Sequence, residues 1–257
     1  MNKNDILAWM RGFKNFNTGI AGVILELIYP NTCVICGKIC DEGICFKCKK
    51  LYPFIQEPRC MCCGKPIISE DEEYCSDCAQ NKKMFQQGRS LWIHKGDIKQ
   101  SVYRFKYKNH RIYAKEYARL LVREHVDVLG EWRPDCIIPV PIHGKRRRSR
   151  GYNQAEVLAV EIQEEILRQL DILIPINTAY IYRKKETVYQ KQLDNHERKK
   201  NLKAAFEINK SMKLPKNILI IDDIYTTGAT IQAISELLAK AGCDRSVFFT
   251  ISIGQGF

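Results

Sequence analysis

The sequence lacks the features of a membrane-spanning or secreted protein. Its apolar stretch from Gly19 to Pro30 is interrupted by Glu26 and is too short to cross a bilayer. A long polar segment precedes this stretch and no small-x-small cleavage site follows it, so it is not typical of a signal peptide either. We therefore expect a cytoplasmic protein with no transmembrane segment. Residues 1–30 are expected to form a helix-like segment that packs on the protein body or docks on a partner or on the inner face of the membrane.

Two nucleotide-binding loops are also missing, and acidic residues are in deficit. No Gly-Lys-Ser/Thr sequence completes a Walker A loop, and no G-x-G-x-x-G sequence forms a dinucleotide-binding loop. The 41 Lys and Arg residues outnumber the 29 Asp and Glu residues and give a formal net charge of +12. This excess predicts an anionic partner, either a phosphorylated ligand or a nucleic acid.

Cysteine is nearly absent outside one segment. Ten of the 12 cysteines lie between Cys33 and Cys78, and the other two, Cys136 and Cys243, are expected to be small buried hydrophobic residues. Within the segment, Cys40 and Cys62 stand alone and the remaining cysteines form C-x-x-C pairs. In chain order these pairs are Cys33 and Cys36, Cys45 and Cys48, Cys60 and Cys63, and Cys75 and Cys78.

The C-x-x-C pairs predict two structural zinc sites in a double zinc ribbon over residues 31–80. A two-residue gap lets both thiolates of one turn bind the same ion, and an all-cysteine tetrahedral site needs four thiolates. We expect the first two pairs to bind one zinc ion and the last two pairs to bind the other, although an interleaved arrangement stays open. A disulfide framework is disfavoured without a secretory signal, and thioredoxin-type redox chemistry is disfavoured by the number of pairs. Four cysteine ligands leave no open position for a substrate, so the ions would stabilise the fold.

The most informative motif runs from Ile218 to Thr230. An apolar run is followed by two adjacent acids, Asp222 and Asp223, and by a turn rich in Thr and Gly that leads into the amphipathic stretch Ile231 to Gly242. The apolar run predicts a parallel strand buried on both faces, and open α/β sheets bind ligands beyond the carboxyl ends of such strands. Small residues let backbone N–H groups approach a phosphate, and the next helix adds the positive end of its dipole. The two acids suit vicinal hydroxyls or a magnesium ion.

This order of strand, acids and loop resembles the signature with which type I phosphoribosyltransferases bind phosphoribosyl pyrophosphate (PRPP) together with magnesium. The resemblance implies an α/β fold, with a mostly parallel sheet and flanking helices over residues 89–257. It also implies that the acids lie near the ribose hydroxyls and that the loop surrounds the 5-phosphate. The alternative is a buried strand that ends in an Asp turn and a capped helix. The candidate PRPP-binding residues are Asp222, Asp223, Tyr225, Thr226, Thr227, Gly228, Ala229 and Thr230.

Two basic segments are expected close to the acids. Residues 143–155 follow the predicted strand Asp135 to Ile142 and carry four arginines and one lysine between positions 145 and 150. A loop at this edge of the sheet suits a pyrophosphate, whereas the charge run alone would suit a solvated face or a nucleic-acid patch. Residues 183–203 contain eight Lys or Arg and three Asp or Glu, and predict either a mobile flap over the ligand or an ordinary loop. The candidate pyrophosphate and flap residues are Lys106, His143, Arg146, Arg150, Arg183, Thr187, Gln190 and Arg198.

The remaining elements follow from apolar periodicity. The expected strands are Arg89 to His94, Tyr180 to Arg183 and Val247 to Ile253. The expected helices are Ile98 to Tyr107, Arg111 to Leu129 and one that follows residue 155.

Together these segments resemble the ComF (ComFC-type) competence family, in which a double zinc ribbon precedes a phosphoribosyltransferase-like domain. The resemblance covers nearly the whole chain from about Pro30. It is carried by the four C-x-x-C pairs, Phe105 to Tyr107, Pro139 to His143, Arg150 to Gln154 and Asp222 to Thr230, and by Arg183, Thr187, Gln190, Leu193, Arg198 and Asn201. Tyr225 departs from it, because many transferases carry a smaller or charged residue at this loop position.

The family is associated with natural transformation. The resemblance therefore implies binding of PRPP and magnesium, handling of single-stranded DNA on the cytoplasmic side of DNA uptake, and a competence helicase or recombination mediator as partner. Two other functions stay open, a metabolic phosphoribosyltransferase that acts on a nucleobase-like acceptor and a non-catalytic nucleic-acid-binding module. We name no catalytic base, because electrostatic stabilisation of the sugar and of the departing pyrophosphate can suffice for the transfer.

Overall fold

The computed structural model describes residues 31–184 and 205–255. The chain divides into two compact units, residues 1–51 and residues 52–257. This division falls between the two cysteine sets, so the first set belongs to the first unit and the second set to the second unit. None of the described helices is long and apolar enough to cross a membrane. The predictions for residues 1–30 and for Thr187, Gln190 and Arg198 lie outside the described residues.

The described ranges contain helices in both units and strands in the second unit. The helices are α1 Phe46–Leu51, α2 Ser76–Gln80, α3 Gly96–Tyr107, α4 Tyr113–Glu124, α5 Val126–Trp132, α6 Gly144–Arg150, α7 Gln154–Leu170 and α8 Ala229–Lys240. The strands are β1 Gln87–Ile93, β2 Cys136–Pro139, β3 Ile181–Arg183, β4 Phe206–Ile208, β5 Asn217–Tyr225 and β6 Arg245–Ile253.

A four-stranded parallel sheet forms the centre of the second unit. Its strand order is β1, β6, β5, β2, and every neighbouring pair of strands is parallel. Residues 218–221 of the inner strand β5 are fully buried, as expected for a strand covered on both faces. Because the strands run in one direction, their carboxyl ends meet at one edge, where Asp222 lies opposite Thr250. The predicted α/β class with a mostly parallel sheet is confirmed.

Amphipathic helices cover this sheet. Helix α7 packs on β2 and β5, α4 packs on α7 and β1, and α8 packs on β6. At the start of α7, Asn153 Oδ1 accepts a hydrogen bond from the N–H of Ala155 at 3.1 Å, while Asn153 Nδ2 donates to the carbonyl oxygen of Val140 at 3.0 Å. The N-cap of α7 is therefore tied to the chain just beyond β2, which fixes the helix at the carboxyl edge of the sheet.

Strands β3 and β4 form a separate antiparallel pair. Arg183 lies opposite Phe206, and the N–H of Lys184 donates to the carbonyl oxygen of Ala205 at 2.9 Å. The pair thus holds together the two points between which residues 185–204 run, a segment that lies outside the described residues.

The expected helix from Arg111 to Leu129 is interrupted at His125. Helix α4 ends and α5 begins around this residue, whose φ of −133° and ψ of 27° are not helical. The His125 ring is buried, with its centroid 5.6 Å from that of Phe249. Burial lowers the pKa of the imidazole to about 3, so a neutral ring packs in the core. This packing accounts for the break in a segment whose apolar pattern is continuous.

The basic segment after β2 is helical where the sequence predicted a loop. His143 precedes α6 and its Nδ1 accepts a hydrogen bond from the N–H of Lys145 at 3.3 Å. Gly151 ends the helix with a φ of +77°, a conformation that favours glycine. Helix α6 contains no large apolar residue, so apolar periodicity could not reveal it.

The second cysteine set shares a hydrophobic core with the sheet. Cys60 and Cys63 are fully buried in the same cluster as Phe85, Tyr225 and Phe248. The strand that carries the two acids is therefore packed, at its carboxyl end, into the core that also contains the second ribbon.

Candidate functional site

The paired acids lie at the carboxyl end of β5, among the last four residues of the strand. Asp223 is buried, and Asp222 is partly exposed. The N–H of Asp223 donates to Asp222 Oδ1 at 2.9 Å, which orients the Asp222 carboxylate. The two side chains point to different surroundings, because successive residues of a strand face opposite sides.

A lysine from a distant helix neutralises one of these acids. Lys106 Nζ lies 2.9 Å from Asp223 Oδ1, and the two side chains are only 17% and 12% exposed. Lys106 is the next-to-last residue of α3, so this ion pair joins α3 to the end of β5. The structure thus places the candidate residue Lys106 against the acid pair itself.

Asp222 has an unusual electrostatic environment. Desolvation of its carboxyl group, and next the charge of Asp223, raise the pKa of Asp222 to about 7 despite the opposing charges of Lys106 and Arg183. Its carboxyl group therefore titrates near neutral pH. A cation or a hydroxyl donor binds the ionised carboxylate better than the protonated one. Its binding would therefore favour the loss of the proton from Asp222.

The turn after the acids is open towards solvent and leads into a helix. Thr226 and Thr227 are exposed, and Gly228 adopts a left-handed conformation with a φ of +71°. Helix α8 begins at Ala229, and no described side chain caps its N-terminus. The backbone N–H groups of this turn are available to an anion.

Tyr225 lies beneath this turn. Its ring is 1% exposed and stacks on Phe248 with the two centroids 4.9 Å apart. A Cβ atom at Gly228 would lie 2.1 Å from the Tyr225 hydroxyl, so the side chain fills the space under the loop. Burial raises the pKa of the Tyr225 phenol well above its ordinary value. Of the candidate residues of the turn, Tyr225 supports the loop with its side chain and offers only its backbone to a ligand.

Two arginines, Arg183 of β3 and Arg146 of α6, add positive charge at this edge of the sheet. Burial lowers the pKa of the Arg183 guanidinium, the positive charge of Arg146 lowers it further, and the charge of Asp222 opposes them. The guanidinium carbon of Arg183 lies 5.1 Å from the centroid of the Phe206 ring. Arg183 is therefore close enough to interact with both Arg146 and Asp222.

Arg150 and His143 have local partners. Arg150 Nη1 donates to Gln154 Oε1 at 2.9 Å and Nη2 donates to the Tyr107 hydroxyl at 2.7 Å. The guanidinium of Arg150 also lies over the Tyr107 ring, 4.6 Å from its centroid. His143 caps α6 through the contact with Lys145 described above. Both candidates lie at this edge, in contacts that order α6 and the end of α3.

Sequence reasoning missed His94, which follows directly on β1. His94 Nδ1 lies 2.8 Å from Ser252 Oγ. Burial lowers the pKa of His94, and the charge of Lys106 adds to the effect while Asp223 opposes it. The rule that ligands bind beyond the carboxyl ends of parallel strands would have pointed to this residue.

Arg111 was also missed. Its guanidinium lies over the ring of Tyr152, 4.4 Å from the centroid, and Tyr152 is 5% exposed. Arg111 precedes α4, and no sequence motif marked it. Its contact with Tyr152 joins segments that are distant in the chain, so no local pattern indicates it.

The second candidate feature is a pair of metal sites. The sulfur atoms of Cys33, Cys36, Cys45 and Cys48 lie within 4.8 Å of one another, as do those of Cys60, Cys63, Cys75 and Cys78. None of the twelve cysteines forms a disulfide. Four converging thiolates fit a tetrahedral zinc ion, and the sets follow the sequential pairing instead of the interleaved one. Cys40 and Cys62 belong to neither set.

Comparison with known proteins gives the same two-part organisation. The double zinc ribbon domain family matches residues 24–79, and the phosphoribosyl transferase domain family matches residues 156–253. Competence protein F of Haemophilus influenzae is 30% identical over 211 residues, which cover 80% of this chain and 88% of that protein. The chain belongs to the ComF competence family.

Two other relatives match this chain over a similar length. Competence protein ComFC of Bacillus subtilis is 26% identical over 216 residues, 80% of this chain and 82% of that protein. DNA utilization protein YhgH of Escherichia coli K12 is 26% identical over 222 residues, 84% of this chain and 94% of that protein. The phosphoribosyl transferase match begins in α7 and ends in β6, so it contains the acids and the turn. Lys106 lies outside that match, although it contacts Asp223 within the same compact unit.

Proposed function

We propose that this ComF-family protein binds PRPP with magnesium at the carboxyl end of β5 and supports the handling of single-stranded DNA during natural transformation, in the cytoplasm. The observation that carries the proposal is the Lys106–Asp223 ion pair beside an uncapped helix N-terminus. The pair holds an acid in place for ribose hydroxyls, and the turn offers N–H groups to the 5-phosphate.

The charges around the acids suit the remaining part of PRPP. Arg183 supplies positive charge close to Asp222, where the pyrophosphate would lie beside the ribose, and Arg146 adds positive charge next to Arg183. Magnesium, when bound with the pyrophosphate, would neutralise part of its charge and favour the ionised form of Asp222. The described residues thus offer donors for the 5-phosphate, acceptors for the hydroxyls and cations for the pyrophosphate.

The DNA part of the proposal is supported by an aromatic surface next to this site. Tyr103 and Tyr107 are 49% and 51% exposed, and their ring centroids lie 4.9 Å apart. Arg150 lies over Tyr107 and contributes positive charge at the same surface. Exposed aromatic rings interleaved with arginine bind single strands by base stacking and by attraction to the backbone. The names of the relatives, which refer to competence and DNA utilization, favour DNA as the anionic polymer.

Calorimetric titration tests the ligand proposal. Zinc-loaded protein is titrated with PRPP in the presence of magnesium, beside Asp222→Asn and the Asp222→Asn/Asp223→Asn double variant, each checked for folding by circular dichroism. We expect binding by the wild-type protein and loss of binding in both variants. Absence of binding by the folded wild-type protein would refute the PRPP proposal.

A metabolic phosphoribosyltransferase is the second candidate function. The Tyr107–Arg150 surface adjoins Lys106 and would also suit a planar nucleobase acceptor. A panel of nucleobases is therefore added to the PRPP-loaded protein, and release of pyrophosphate is measured. Release that depends on one acceptor would establish a transferase, whereas PRPP binding without release would favour a ligand-binding accessory protein.

The family resemblance also suggests a competence helicase or recombination mediator as partner. Capture of the tagged protein from competent cells, with and without nuclease treatment, tests this expectation. Recovery of a DNA-processing protein that survives the nuclease would indicate direct contact. Recovery of neither DNA nor such a protein would contradict the DNA-handling role.

A further inference from the structure

A continuous series of close contacts joins the candidate phosphate loop, residues 226–230, to the second zinc ribbon, residues 60–78. We propose that this ribbon is a structural support of the phosphate loop, and that Tyr225 is the positioning residue through which the support reaches the loop. The inference rests on the proposed function, since the ligand of the loop is taken to be PRPP. It gives the second ribbon a role in ligand affinity in addition to holding a metal ion.

The first contact links the ribbon to β1. The N–H of Gly88 donates to the carbonyl oxygen of Cys62 at 2.8 Å. Gly64, in the metal-binding turn, has a φ of +75°, and a Cβ atom on it would lie 2.5 Å from the carbonyl oxygen of Gly88. The two backbones approach so closely that any side chain on Gly64 would separate them. The ribbon turn therefore fixes the position of Gly88.

The second contact links β1 to β6. A Cβ atom on Gly88 would lie 2.0 Å from the ring of Phe248, so this ring packs directly on the backbone of β1. Phe85 packs edge-on against both Phe248 and Tyr225, with centroid distances of 5.1 Å and 6.1 Å. Phe248 and Tyr225 are fully or almost fully buried in the cluster that contains Cys60. A shift of the ribbon would be passed on to these rings.

The third contact reaches the loop. Phe248 and Tyr225 stack with an interplanar angle of 2°, and the edge of the Tyr225 ring lies against Gly228 together with the hydroxyl. That hydroxyl has no hydrogen-bond partner among the described residues, so it acts here by occupying space. Because no described side chain caps α8, the conformation of the loop depends on what packs beneath it. Close-packed side chains leave little room for independent movement.

Two neighbouring phenylalanines of β6 provide the test. Phe248 and Phe249 are both 0% exposed, but Phe248 contacts Tyr225 whereas Phe249 contacts Trp132 on the other face of the sheet. Phe248→Leu and Phe249→Leu remove similar apolar surface, so both should lower the melting temperature of the full-length protein to a similar extent. Loss of stability alone therefore does not separate the two variants.

The readouts are the affinity for PRPP with magnesium and the hydrogen exchange of loop residues 226–230. We expect Phe248→Leu to weaken affinity roughly tenfold and to accelerate loop exchange, while Phe249→Leu leaves both close to wild type. Equal effects of the two variants, or unchanged loop exchange in Phe248→Leu, would overturn the inference. Loop exchange is measured without ligand, so it tests the support of the loop by the ribbon even if the wild-type protein does not bind PRPP. Failure of the wild-type protein to bind PRPP would refute the proposed function and not this inference.

Tyr225 is tested by one conservative and one disruptive variant. Tyr225→Phe keeps the stacked ring and is expected to change affinity by less than about twofold. Tyr225→Leu removes the stack and is expected to behave like Phe248→Leu. If Tyr225→Leu lowers the melting temperature but leaves affinity and loop exchange unchanged, Tyr225 contributes to the core alone and has no positioning role.

The zinc ligands give an independent comparison. Cys75→Ser/Cys78→Ser and Cys45→Ser/Cys48→Ser each disable one ribbon, and metal analysis should find the loss of one zinc ion in either variant. We expect accelerated exchange of loop residues 226–230 in the second-ribbon variant alone. The same acceleration in the first-ribbon variant would overturn the specific role of the second ribbon. Should the second-ribbon variant fail to fold, the comparison of Phe248→Leu with Phe249→Leu still decides.

Discussion

Lys106 Nζ and Asp223 Oδ1 lie 2.9 Å apart, and the contact joins the end of α3 to the end of β5 with both side chains largely buried. A buried charge that loses its partner is far less stable than the intact pair. The candidate site is therefore tied to the stability of the sheet domain as well as to the binding of a ligand.

Lys106→Met is expected to destabilise the protein by about 3 kcal/mol, because Asp223 would keep a buried and unpaired charge. Chemical denaturation of the wild-type and variant proteins measures the change. Lys108→Met is the matched control, since Lys108 is exposed and directly follows the last residue of α3. Equal stability of Lys106→Met and Lys108→Met would show that the pair contributes little.

The raised pKa of Asp222 predicts a pH dependence. In the unfolded chain Asp222 ionises near its ordinary pKa of 3.8, whereas in the folded protein it ionises near about 7. Its contribution to stability is therefore fully present below pH 3.8 and is lost as pH rises towards 7. We expect the difference in melting temperature between wild type and Asp222→Asn to change across this window. A difference that stays constant from pH 4 to pH 8 would contradict the raised pKa.

Ligand affinity should show the opposite trend. PRPP with magnesium is proposed to bind the ionised form of Asp222, so its affinity should increase as pH rises through about 7. Calorimetry at pH 6 and pH 8 measures the change, and the use of buffers with different ionisation heats reports the release of a proton on binding. Affinity that is higher at pH 6, with no proton release, would exclude Asp222 as the titrating group.

Gly228→Ala is expected to impair the loop. The left-handed φ of +71° costs a non-glycine residue about 1 kcal/mol, and the new Cβ atom would meet the Tyr225 hydroxyl at 2.1 Å. We expect lower stability and loss of PRPP affinity, measured by thermal melting and calorimetry. Gly130→Ala is the control: nothing lies within 4 Å of its Cβ position, and it should stabilise α5 by about 0.5 kcal/mol.

Tyr107→Ala is expected to weaken binding of a fluorescent single-stranded oligonucleotide by about 1–3 kcal/mol, the contribution of one stacked base. Fluorescence anisotropy at several salt concentrations measures the affinity and its electrostatic part. Tyr74→Ala is the control, because Tyr74 is 46% exposed but lies in the second ribbon. If only Tyr74→Ala weakens binding, the DNA contacts the ribbon instead of the Tyr103–Tyr107 surface.

The motif from Ile218 to Thr230 could be interpreted from sequence because its parts are adjacent in the chain. An apolar strand, two acids and a glycine turn give the position of the site directly once the strand is known to be parallel. The cysteine spacing was informative for the same reason, since each C-x-x-C pair occupies one turn. These local features predicted the fold class and the two metal sites.

The contacts between distant segments could not be predicted. Nothing near Lys106 indicates that it pairs with Asp223, and nothing near Tyr225 indicates that its ring packs into the core of the second ribbon. Helix α6 escaped detection because an all-polar helix has no apolar stripe. His125 broke a predicted helix because its neutral ring is buried against Phe249, which only the packed structure reveals.

The pairing of β3 with β4 also makes the segment between them separable. Since Lys184 and Ala205 are hydrogen-bonded neighbours, a two-residue hairpin turn could join them with little strain on either strand. A shortened protein of this kind would keep Arg183 beside Asp222 while lacking residues 185–204. Comparison of this protein with the full chain would show which properties need residues 185–204 and which the sheet domain provides without them.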